Sequence, residues 1–125
     1  MKYEDITGRI IGAAFEVHKI LGCGFQEVIY QRALALEMRN RNLSFDRELE
    51  HDVVYKEHTI GSRRIDFVVN EKVIVELKAT AVLDDAHVAQ TLNYLKLYHQ
   101  EVGLLINFGS KSLTFKRLIL TNQQP

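Results

Sequence analysis

The chain carries one cysteine, Cys23, and one proline, Pro125. A lone cysteine excludes an internal disulfide, which suits a reducing interior and predicts a cytoplasmic location. With the only proline at the last residue, no internal proline marks a linker. Net charge is also lacking: Lys+Arg and Asp+Glu are 16 each. That balance argues against tight nucleic-acid binding through global charge, although a local basic face remains compatible with it. No stretch approaches the ~20 apolar residues of a membrane span. Glu4, Asp5, Arg9 and Glu16 interrupt the first twenty residues, so no secretory leader and no membrane partner are expected. Repeats and low-complexity tracts are absent.

What is present is an ordinary globular balance, 46% hydrophobic and 26% charged over 125 residues. This length fits one domain spanning residues 1–125, large enough to bury a core without staples. Ile6, Ile10, Ala13, Val17 and Leu21 recur at helical spacing and predict a helix over residues 4–21, broken by Gly22 and Gly24. A second helix is predicted over 25–41. Ile29, Ala33 and Leu36 form one stripe of it, and Glu27, Tyr30 and Leu34 a second line beside it.

Strand patterns follow. His51 to Tyr55 alternates weakly, and Lys56 to Gly61 reads as a turn with Gly61 as the break. Arg64–Val69 and Val73–Lys78 are β-rich runs around Asn70-Glu71-Lys72, a hairpin pattern. Residues 84–99 return to a helical period, with Asp84 and Asp85 as capping candidates. Val102–Phe108 and Leu113–Leu120 read as two closing strands. The predicted order is α-α-β-β-β-α-β-β.

The chemistry concentrates at Asp66, Glu76 and Lys78. Residues two apart in a strand share a face, so Glu76 and Lys78 lie side by side. Asp66 joins them only if the hairpin register is right. Opposed residues in a hairpin have position numbers of constant sum. A two-residue loop pairs Val69 with Lys72, sum 141, and turns Glu76 away. A three-residue loop pairs Val69 with Val73, sum 142, and sets Asp66 opposite Glu76 and Arg64 opposite Lys78. A site here therefore requires an even sum.

Two carboxylates at ~4 Å repel by on the order of 4 kcal/mol at an effective dielectric of ~20. Lys78 offsets part of this. A hard divalent cation, Mg²⁺ or Mn²⁺, would offset more, acidify a bound water and stabilise charge on a phosphodiester. On an exposed strand an Asp and a Glu-x-Lys would be surface charge. Here Ile65, Phe67, Val68 and Val69 flank Asp66, and Val73, Ile74, Val75 and Leu77 flank Glu76. Charges kept in such buried runs point to a site. Gln90 and Tyr94 are four apart on the following helix, hence on one face, either bordering the cleft or simply packing. Glu27 falls in a first helical turn, where the helix dipole alone favours an acid. His18 read alone is more often a core or capping histidine than a ligand.

Gly24-Phe25-Gln26-Glu27-Val28-Ile29-Tyr30 has the pattern GxxExxY. Val17-His18-Lys19 precedes it; Gly61 to Asp66, Val75 to Lys78 and Gln90 to Tyr94 follow in order. From about residue 5 to 120 the chain resembles the GxxExxY family, a bacterial and archaeal branch of the PD-(D/E)xK nucleases. The resemblance implies an α/β, restriction-endonuclease-like fold with a mixed central sheet flanked by helices. It implies Asp66, Glu76 and Lys78 as signature residues. Gln90 and Tyr94 match the QxxxY helix of RecB-like relatives, and Glu27 or His18 completes the metal shell with Asp66 and Glu76. Ile65 stands where the family name has proline. The implied activity is Mg²⁺- or Mn²⁺-dependent hydrolysis of DNA. The rivals are a catalytically inactive binding module, working as a homo-oligomer or through a partner, and an RNA-directed enzyme. Arg63, Arg64, Lys96, Lys111, Lys116 and Arg117 are candidates for a modest basic rim.

Overall fold

The computed structural model describes residues 2–121, so Pro125 lies outside the described residues. Helices α1 (Glu4–Leu21) and α2 (Glu27–Asn40) come first. Strands β1 (Phe45–Tyr55), β2 (His58–Val69) and β3 (Val73–Lys78) follow, then α3 (Asp85–Tyr98), β4 (Val102–Asn107) and β5 (Thr114–Ile119). The five strands form one sheet in the order β1-β2-β3-β4-β5. Among the described residues only β3 and β4 pair in parallel. A parallel pair needs a crossover, and α3 supplies it. This is a mixed α/β sheet flanked by helices, in keeping with a restriction-endonuclease-like fold. No helix among the described residues is long and apolar enough to cross a membrane.

The sheet is covered on both faces. Ile10, Ala13, Ala14 and Val17 of α1 and Tyr30, Leu34 and Met38 of α2 pack on Phe67, Val69, Val73, Val75 and Leu77. Tyr94 and Leu95 of α3 pack on Ile65, Val68 and Ile74. Strand β3 is thus buried on both sides, which explains why Val73, Ile74, Val75 and Leu77 are apolar on both faces. On α2 the Tyr30–Leu34 line faces the core, while Leu36 of the other stripe is 61% exposed.

The first hairpin is longer than the pattern predicts. β1 begins at Phe45 rather than His51, and β2 at His58 rather than Arg64. Most of this ribbon is solvent-exposed, so it has little apolar alternation to read. Its turn lies at Lys56 and Glu57, both at positive φ, where neither residue type signals one. Gly61 is not the break. It sits inside β2 opposite Val53, where the register slips, as glycines at strand bulges do.

The second hairpin decides the site. Asn70 and Glu71 are left-handed, with φ of 50° and 60°. The Lys72 N–H donates to the Val69 carbonyl at 3.0 Å, and the Asn70 side chain accepts from the Ser44 backbone N–H and hydroxyl. The ladder then runs Val69↔Val73, Val68↔Ile74 and Phe67↔Val75, all with sum 142. This even register places Asp66 on the Glu76 side. The ladder stops there, however, so Arg64 does not pair with Lys78. On the other edge of β2 it pairs with Glu50 of β1.

Candidate active site

The sequence between α1 and α2 is built to aim Glu27. Gly24 has φ of 109°, a conformation that favours glycine. The Tyr30 hydroxyl donates to the Gly22 carbonyl at 2.6 Å and accepts from the Phe25 N–H at 3.2 Å. Its ring is fully buried and stacks on Phe108 at 4.7 Å. Tyrosine and glycine together clamp the turn that starts α2, and Glu27 is the first residue of that helix. This is a physical role for the GxxExxY spacing.

Where β2 and β3 separate, side chains replace the ladder. The Asp66 N–H donates to Glu76 Oε1 at 3.0 Å, and the Leu77 N–H donates to Asp66 Oδ2 at 2.8 Å. Gln31 Nε2 donates to Asp66 Oδ1 at 2.7 Å. Lys78 Nζ donates to Gln90 Oε1 at 3.1 Å. These groups line one pocket of about 320 Å³ with Glu27, Glu48, Arg64 and Tyr94. Of the residues singled out in the sequence, the pocket gathers Glu27, Asp66, Glu76, Lys78, Gln90 and Tyr94.

His18, the alternative to Glu27, is not among the residues that line this pocket. The His18 Nε2 bonds the Ser110 carbonyl at 3.0 Å and its ring packs near Phe108 at 6.2 Å. α1 presents it toward the loop after β4.

Two pocket residues carried no expectation from sequence. Gln31 is 7% exposed. It sits on the buried face with Leu34, Ala35 and Met38, so a polar residue at core spacing was its signal. Glu48 has φ of 54° within β1. The β1–β2 pairing runs past it on both sides, Arg47↔Phe67 and Leu49↔Ile65, and omits Glu48 against Asp66. Its carboxylate meets Arg64 at 3.5 Å. Nothing local in the sequence signals that conformation.

The electrostatics are those of acids short of positive charge. Burial, then the Asp66 charge, pushes Glu76 up to about 8, against the Asp66 N–H and Lys78. Burial raises Asp66 as well, opposed by the Leu77 N–H, Gln31 and Lys78. Glu27 is exposed at the rim, yet desolvation also raises it, opposed by Lys78. Among the described residues no three His, Cys, Asp or Glu side chains already form a cation-holding cluster. The donor set suits a cation held by two carboxylates that keeps several waters, as Mg²⁺ does. Gln31 Oε1 is buried with no hydrogen-bond partner, an acceptor suited to such a water.

A family model for the PD-(D/E)XK nuclease superfamily matches residues 4–118. The chain belongs to this superfamily. Members of the superfamily usually use divalent metals. The crystal structure of SSO0001 is similar in fold, with a TM-score of 0.60 at 18% identity. The match covers 98% of this chain and 61% of that one, so this chain spans under two thirds of that protein's length. No curated protein matches the chain.

Proposed function

We propose that this superfamily member is a divalent-cation-dependent nuclease that hydrolyses DNA phosphodiesters. One observation carries the reading: Asp66 and Glu76 meet in a pocket with Lys78, each carboxylate held by a backbone N–H of the facing strand. Asp66 and Glu76 would hold Mg²⁺ or Mn²⁺, with Glu27 rather than His18 at the rim. The ion would supply an acidified water and neutralise phosphate charge. Lys78, held by Gln90, presents its ammonium to the developing phosphate charge and orients the attacking water. Tyr94 backs this helix face against the sheet. The same Gln90 and Tyr94 support placing the chain in the GxxExxY, RecB-like branch. We read residues 1–125 as one domain, and the exposed Cys23 suits a reducing cytoplasm.

The test is cleavage of plasmid and single-stranded DNA with Mg²⁺ or Mn²⁺. Wild type should cut, and Asp66→Ala and Glu76→Ala should each lose at least about a hundredfold. Activity that survives Asp66→Ala overturns the assignment.

A second reading, a homo-oligomeric accessory module, has one observation in its favour. Val54, Tyr55 and Ile60 stand exposed near the hairpin tip. Calorimetry showing no Mn²⁺ binding, with sedimentation showing an oligomer, would select it.

A further inference from the structure

Beside the carboxylate pocket lies a larger cleft of about 540 Å³. Val53 and Arg63 of the hairpin form one wall; Ala89, Asn93 and Leu97 of α3 form the other. Gln90 and Tyr94 line both cavities, so the cleft adjoins the catalytic groups across those two side chains.

Its shape follows from a reversal of side-chain alternation in β2. Strand residues two apart should share a face, yet Phe67 packs toward α1 and α2 while Ile65 packs toward α3. The reversal falls at Asp66, where the β1 pairing omits Glu48 while the register on either side is unchanged. Beyond it Arg63, in step with Ile65, lines the cleft under α3. Tyr98 holds the two walls together: its hydroxyl donates to the Leu49 carbonyl at 2.8 Å and lies 3.4 Å from the Arg63 carbonyl. The His51 ring packs against Tyr98 at 4.9 Å. The cleft is therefore preformed.

Apolar side chains, the Tyr94 ring, two amides and one guanidinium suit a particular occupant. Val53, Ala89 and Leu97 offer a surface for a flat ring. Asn93 offers a donor and an acceptor for its polar edge. Arg63 offers a group that stacks on a base or pairs with a phosphate. We propose that this cleft takes the base of the nucleotide next to the scissile phosphate, making the substrate an unpaired strand or a frayed end. A base in a duplex would have to leave its stack, at a cost of a few kcal/mol, whereas an unpaired base enters freely. The proposal rests on the nuclease reading above.

The test is fluorescence anisotropy of a labelled single-stranded oligonucleotide and of the same sequence as a blunt duplex, with Ca²⁺ as the cation. Wild type should prefer the single strand by about tenfold or more, the worth of one stacked base. Ala89→Phe, which fills the cleft from an exposed helix position, should remove that preference. Asn93→Ala, a truncation on the same exposed face, should reduce it and stands in if Ala89→Phe does not fold. Equal binding of single strand and duplex by wild type overturns the proposal, as does Ala89→Phe with an undiminished preference. Hydrolysis of bis(p-nitrophenyl) phosphate with Mn²⁺ separates the two readings, because that diester has no base. Hydrolysis without strand preference overturns the cleft alone. Failure to hydrolyse this diester or any DNA overturns the nuclease reading, while strand preference still reports on the cleft.

Discussion

Glu76 accepts the backbone N–H of Asp66 at 3.0 Å, while Asp66 accepts the N–H of Leu77, the residue after Glu76, at 2.8 Å. Each acid is held by the other's strand where the regular ladder ends. Their repulsion would drive free side chains apart. The backbone donors hold them together before any cation arrives, which is preorganisation built from the register itself.

This arrangement costs stability in the metal-free protein, with a definite pH dependence. Glu76 rises from 4.5 to about 8 on folding. A raised acid pKa means the folded state binds the proton more tightly. Stability therefore falls as pH rises from 4.5 toward about 8, and levels off above. Glu76→Gln keeps the acceptor for the Asp66 N–H but carries no charge. In urea denaturation with EDTA it should match wild type near the lower limit and exceed it above the upper one. The expected gain is on the order of a few kcal/mol. Added Mn²⁺ should raise the melting temperature of wild type and not of the variant.

Gln31 should matter as a positioning residue. Gln31→Leu fills similar space but removes the donor to Asp66 Oδ1 and the unpartnered Oε1. Mn²⁺ affinity by calorimetry should fall about 10- to 100-fold, as when an outer partner of a metal ligand is lost. The thermal melt should stay cooperative. An unchanged affinity would show that Gln31 only packs.

Lys72 offers a test of register against loop length. Deleting it leaves the left-handed pair Asn70-Glu71 as a two-residue turn that joins Val69 directly to Val73, the pairing already present. Asp66 stays on the Glu76 side. The deletion should retain Mn²⁺ affinity within about a factor of three, well under the tenfold that marks 1.4 kcal/mol. Loss of binding would mean that Lys72 itself, rather than register, supports the site.

Tyr30→Phe should loosen the entry to α2. It removes the hydroxyl that bonds both Gly22 and Phe25 but keeps the ring against Phe108. The loss should be about 1–2 kcal/mol, read as a lower melting temperature. Mn²⁺ affinity should weaken with it, because Glu27 loses its fixed start. A drop in stability with no change in affinity would show that Glu27 is not part of the cation site.

Much of the architecture was legible in the periodicity. α1 spans the predicted residues 4–21, and Asp84 caps α3 by accepting the His87 N–H at 3.0 Å. β3 matches its predicted bounds because a strand buried on both faces is apolar except at the site residues Glu76 and Lys78. The exposed hairpin was not legible, since burial writes the pattern and most of that ribbon is not buried. The partner of His18, the Ser110 carbonyl, was not legible, because spacing along α1 says which face a residue shares and not what lies across from it.

By itself, the sequence determined that Glu76 and Lys78 share a face, because the strand period is two. It also determined that Gly22 and Gly24 break the first helix ahead of Glu27, and that an even register was required for any site. Only the tertiary structure decided the rest. It closed the Asn70–Lys72 turn with sum 142. It brought Gln31 from α2 and Gln90 from α3 to opposite sides of the same carboxylates and ammonium. It also turned Glu48 out of the ladder. Turn geometry and contacts between distant elements depend on how whole layers pack, and no local window of residues carries that information.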